Sequence, residues 1–236
     1  MKMFRERGFT IVEIAIVLVV VGLLLGAVMR GQALINSARV RNIIDNVSSI
    51  EAAYFGFVDR YRQVPGDWGN EQASAAIGID INGGGNNDGR IDNGKSAKWK
   101  EPNALWEQLS KAGFLQGEFK GDASEPDSSN RLAPLNPYNR IMVIGRTDDY
   151  LDSGTARERL NLVLGGGMPV DVAREVDVKF DDGVPDTGSV RLAVSTKATF
   201  GKKAQSDGKC VADGDGGTKI YDVSSDSQDC NLVYLF

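Results

Sequence analysis

The stretch Arg5-Glu6-Arg7-Gly8-Phe9-Thr10-Ile11-Val12-Glu13, with the apolar run it opens, decides how the rest of the chain is read. Residues 1–8 carry Lys2, Arg5 and Arg7 against Glu6, a net charge of +2. Residues 9–29 hold 21 positions and a single charge, Glu13. As a helix this run measures roughly 30 Å, the hydrocarbon thickness of a bilayer. The basic flank precedes it, which places the N-terminus in the cytoplasm and the remainder outside. A secretory signal peptide opens in the same way but needs a small-residue cleavage site after its apolar run. The candidates lie around Gly26-Ala27, and helical periodicity continues past them. A plain signal anchor leaves Glu13 unexplained, because a carboxylate deep in lipid costs on the order of 3 kcal/mol. Such a group needs a partner.

The junction supplies one. Gly8, Phe9 and Glu13, with the basic leader and the apolar run, resemble the N-terminus of type IV pilins and type II secretion pseudopilins. The resemblance spans about the first quarter of the chain and implies a processing route. A membrane-embedded aspartyl peptidase cuts after Gly8, the new N-terminal Phe9 is N-methylated, and Glu13 becomes the fifth mature residue. That glutamate is expected to pair with the N-terminal amine of a neighbouring subunit during assembly. The physics agrees: cleavage creates a cationic amine at the membrane edge, and a Glu13 carboxylate one helical turn away can partner such an amine, its own or a neighbour's. An ion pair in low dielectric suits register better than affinity.

Beyond the membrane, Ile43/Ile44, Val47, Ile50, Tyr54, Phe57/Val58 and Tyr61 recur every three or four residues, with Arg39, Arg41, Asp45 and Glu51 off the stripe. Pro65-Gly66 ends the pattern. Residues 9–61 therefore read as one helix whose second half lies on its own globular part. Gly22, Gly26 and Gly31 each lower local helix stability by about 1 kcal/mol. In the resembled family, glycines here permit unwinding inside the filament. Close helix packing is the alternative.

The expected fold class is α+β: a long N-terminal helix, membrane-spanning in its first half, packed against a small antiparallel sheet. The expected boundaries are a leader at 1–8, a membrane and filament-core segment at 9–29, an amphipathic half at 30–64 and a head at 65–236. Residues 66–100 read as a long loop rich in Gly, Asn and Asp. A short helix follows from Pro102 to Gly113, and Pro169 opens another with Val172, Val176 and Phe180 on one side. Strand patterns occur at 140–144, 160–164 and 190–194, and the C-terminal 232–236 reads as an edge strand or a docked tail. Cys210 and Cys230 resemble the C-terminal disulfide-bounded loop of many type IV pilins, with two free thiols as the alternative.

Composition excludes several chemistries. The chain has no histidine, which removes Ser-His-Asp and Cys-His nucleophiles and every His-ligated metal site. Two cysteines are too few for a structural zinc or iron–sulfur centre. A net charge of −5 argues against nucleic-acid binding through surface charge. Gly89-Arg90-Ile91-Asp92-Asn93-Gly94-Lys95-Ser96 fits a phosphate-loop pattern, but a glycine-asparagine run stands where the preceding strand is needed, so chance accounts for it. Asp80, Asn82, Asn86, Asp88 and Asp92 gather hard oxygen ligands among glycines, as calcium loops do, though Gly84 and Lys95 fall where an EF-hand needs its end ligands. A solvated surface loop is the favoured reading. Calcium is the one cofactor candidate. A second acidic run, Asp181-Asp182-Gly183-Val184-Pro185-Asp186-Thr187-Gly188, reads first as a helix-ending turn. Trp106 reads as core, and Trp68 and Trp99 as subunit contacts or loop anchors.

The resemblance implies a structural, non-enzymatic subunit of an extracytoplasmic type IV pilus-like filament, held in the inner membrane before assembly. Its implied partners are identical or related pilin subunits, the prepilin peptidase/methyltransferase and an inner-membrane assembly platform. Nucleic acid enters only indirectly, through DNA uptake. A minor pseudopilin of a type II secretion system is the alternative within the family. A membrane-anchored calcium- or glycan-binding protein is the alternative of another class.

Overall fold

The computed structural model describes residues 9–91, 99–194, 200, 203 and 205–236. The chain divides into two units, Met1–Arg39 and Val40–Phe236. Helix α1 (Ile11–Tyr61, 51 residues) begins in the first and ends in the second. In the first unit its apolar side chains are exposed, from Ile11 at 90% to Met29 at 72%. In the second, Val40, Ile43, Val47, Ile50, Ala53 and Phe57 are buried. Their successive spacings of three, four, three, three and four residues make the stripe of one helical face. The helix stops at Tyr61, and Arg62 adopts a positive φ of 54°.

The head is α+β. Its other helices are α2 (Asn70–Ile77), α3 (Lys100–Lys111) and α4 (Val170–Phe180). Its strands are β1 (Val143–Thr147), β2 (Arg159–Val163), β3 (Val190–Leu192), β4 (Val211–Asp213), β5 (Lys219–Tyr221) and β6 (Leu232–Leu235). The main sheet has the order β1-β2-β6-β3 with every pair antiparallel, and β4 and β5 form a separate hairpin. The buried face of α1 and the inner side chains of the sheet share one core. Tyr54 of α1 meets Phe236 just past β6, ring to ring at 5.6 Å.

Two sequence readings need correction, and a third is resolved between its alternatives. The C-terminal segment is an inner strand: Leu162 pairs with Tyr234 on one side and Val190 with Tyr234 on the other. A strand of four residues carries no local mark of how many neighbours it will have. The region read as a continuous loop contains α2, which ends at Gly78 with φ 81°. Its face is made mostly of alanine, too small to register as an apolar stripe. Trp68 and Trp99 are buried at 8% and 4% exposure, so they anchor loops and offer nothing to another subunit. Trp68 packs on Phe57 and Tyr61, and Trp99 stacks on Phe200. Trp106 is wholly in the core.

Helix α3 organises the segment that precedes it. Gln108, fully buried, accepts from Gly66 N–H at 2.8 Å and donates to the carbonyls of Trp68 and Gly83 at 2.8 and 3.1 Å. Glu107 beside it takes the N–H groups of Asn82 and Gly83. Buried Asp67 takes those of Asn86, Asp88 and Gly89. A loop poor in apolar side chains is thus held by three buried polar groups that satisfy its backbone donors.

Candidate functional site

The first candidate site is the start of α1. Thr10 and Glu13 form a reciprocal cap. Glu13 N–H donates to Thr10 Oγ1 at 3.2 Å, and Glu13 Oε2 accepts from Thr10 N–H at 2.7 Å and Thr10 Oγ1 at 2.9 Å. This is the capping-box exchange, in which a residue three places into the helix reaches back to the capping residue. It satisfies backbone donors that the first helical turn otherwise leaves unpaired. Glu13 therefore has a local partner within its own chain, and Phe9, 84% exposed, lies immediately before it. Gly8 lies outside the described residues. A Cβ placed at Gly22, Gly26 or Gly31 would meet nothing within 4 Å. This helix is long and apolar enough to cross a membrane.

The second candidate is the C-terminal loop. Cys210 and Cys230 are joined by a disulfide, both fully buried, with Ser227 Oγ 3.3 Å from Cys210 Sγ. The bridge closes the segment that contains the β4–β5 hairpin. On that hairpin Tyr221 donates to Oδ2 of Asp177 on α4 at 2.7 Å, and Gly183 N–H donates to Asp177 Oδ1 at 3.1 Å. Asp177 is fully buried, and carboxylate oxygens of Asp181 and Asp182 lie within 4.8 Å of its own. Desolvation, opposed by the two hydrogen bonds and reinforced by the neighbouring carboxylates, pushes its pKa up to about 7. Burial and the Asp177 charge likewise push the Tyr221 hydroxyl up. The sequence placed Asp181 and Asp182 in a turn but gave no sign that Asp177, on the helix before them, joins them.

The described residues of the proposed calcium loop take part in hydrogen bonds. Asn82 Nδ2 donates to Glu107, Asn86 Nδ2 donates to Asp88, and the Asp80 carbonyl accepts from Lys111. Asp92 lies outside the described residues, as do Gly94, Lys95 and Ser96 of the phosphate-loop pattern. Asp67 and Glu107, which hold this loop in place, were not evident in the sequence. Their roles depend on contacts across 19 to 25 positions of chain.

Residues 3–29 match the prokaryotic N-terminal methylation motif, the leader signature of type IV pilins and pseudopilins. No curated protein and no solved structure matches the chain. The motif implies processing by a prepilin peptidase and assembly into pilus-like polymers, and with the apolar helix it fits a membrane-anchored form before assembly.

Proposed function

We propose that this chain is a structural subunit of an extracytoplasmic type IV pilus-like filament, cut after Gly8, N-methylated on Phe9 and polymerised through α1. The observation that carries this reading is the coincidence of the methylation motif with an apolar helical run whose large side chains are exposed among the described residues. Burying each large aliphatic side chain is worth about 1.5–3 kcal/mol, so such a surface belongs in lipid and then among neighbouring helices.

Glu13 has two roles in this account. Before assembly it caps its own helix through Thr10. After cleavage the cationic amine of Phe9 in a neighbouring subunit competes for the same carboxylate, and a subunit out of register leaves the charge unpaired in low dielectric. The disulfide stiffens a polar loop on the head, a feature that favours a pilus-type subunit over a minor pseudopilin of type II secretion. The experiment is fractionation of sheared surface filaments from cells with and without the prepilin peptidase. The chain belongs in the sheared fraction only when the peptidase is present. Retention as a membrane-bound monomer in both strains would instead indicate an anchored binding protein.

A further inference from the structure

An amine, a carboxamide and a carboxylate that the filament role does not use meet at one oxygen atom. Glu107 Oε1 accepts from Lys111 Nζ at 2.6 Å and from Asn82 Nδ2 at 3.0 Å. The Glu107 side chain is fully enclosed, while that of Lys111 keeps 27% of its surface exposed. The other Glu107 oxygen takes the Gly83 N–H at 2.7 Å. Lys111 Nζ also donates to the Asp80 carbonyl at 2.5 Å, which draws the amine toward the segment carrying Asn82. Gly121 walls the corner so closely that a Cβ there would lie 2.1 Å from Glu107 Oε2.

We propose that Lys111 and Asn82 form an intramolecular amide cross-link, with Glu107 carrying the proton. The Lys111 ammonium gives a proton to Glu107, and the neutral amine attacks Cγ of Asn82. A Cγ–Nζ bond forms as the Cγ–Nδ2 bond breaks. Glu107 returns its proton to the departing nitrogen, which leaves with the second amine proton as ammonium. No electron is gained or lost and no co-reactant is needed. Holding both reactants on one carboxylate replaces a chance encounter with a local one. The bond would fasten the loop after α2 to α3, a covalent strut in a subunit proposed to serve in an extracellular polymer.

An Asn-Gly sequence has a competing reaction, in which the Gly83 nitrogen attacks Asn82 and releases the same ammonia to give a succinimide. Here the Gly83 N–H is engaged by Glu107 Oε2. The test is mass spectrometry of the full-length chain in detergent, aged and reduced, followed by proteolytic mapping. The expected result is a mass lower by one ammonia, a branched peptide joining Asn82 to Lys111, and resistance of the product to hydroxylamine. Lys111→Arg, which keeps the ion pair with Glu107, should retain the full mass. Unlinked Asn82 and Lys111 peptides in the aged native protein would overturn the proposal. So would a hydroxylamine-sensitive product in which Lys111 remains free.

Discussion

Replacing Asp177 by Asn should make the head more stable above neutral pH and remove a large part of its pH dependence. Asp177 is fully buried beneath Tyr221, and its pKa rises from 3.8 to about 7. Because the folded-state value is the higher one, the folded chain keeps a proton that the unfolded chain has released. The stabilisation is complete below the unfolded value and is lost as pH rises through the folded one. A shift of about three units corresponds to roughly 4 kcal/mol, lost between about pH 4 and pH 7. Asp152 acts in a different window. Its carboxyl is held below the usual range first by the Gly154 N–H and then by Arg191, so its contribution is present at neutral pH and is lost in acid below the usual Asp range. In Asp177→Asn the amide oxygen can face the Gly183 N–H while its NH₂ donates to a rotated Tyr221 hydroxyl, so the hydrogen bonds survive in number. The assay is urea unfolding of the full chain in detergent across pH, followed by fluorescence of Trp68, Trp99 and Trp106. The wild-type curve should fall between about pH 4 and pH 7 while that of the variant stays level, the two separating most at alkaline pH. Parallel curves, or a variant less stable than wild type at pH 8, would refute the reasoning.

Glu13→Ala should leave membrane insertion intact and block entry into filaments, read by comparing membrane and sheared fractions; normal filament yield would sink the pairing role. Replacing both Cys210 and Cys230 by Ser should lower head stability by about 3 kcal/mol, the loop-closure value for a bridge across 20 positions, and reductant should then have no further effect on unfolding. Phe57→Ala should cost about 3–5 kcal/mol. Phe57 is fully buried, with the rings of Tyr61, Trp68 and Phe114 at 4.8, 5.9 and 5.9 Å, and its loss should be visible as a lower unfolding midpoint.

The parts of this fold written in local patterns were legible. The apolar run and the stripe from Ile43 to Tyr61 are local patterns, and α1 follows them from Ile11 to its end at Tyr61. Helix α4 begins after Pro169, a residue that starts helices readily, and the strands at 143–147, 159–163 and 190–192 fall on or near β-branched runs. What escaped was set by distant partners. β6 is an inner strand because β2 and β3 lie on either side of it. Trp68 is buried because Phe57 and Tyr61 reach it. Asp177 has a raised pKa because folding buries it, and the hydroxyl it accepts from belongs to Tyr221, 44 positions later. The Thr10–Glu13 cap is a local pattern too, and it gives Glu13 a partner within its own chain beside the amine that the family resemblance implies.

The most direct test of the central claim is the N-terminus of the protein isolated from cells that contain a prepilin peptidase. Mass spectrometry of the first peptide should find a chain beginning at N-methylated Phe9, with residues 1–8 absent, and an uncut chain when the peptidase is deleted. An N-terminus still at Met1 with the peptidase active, or a cut near Ala27, would contradict the account.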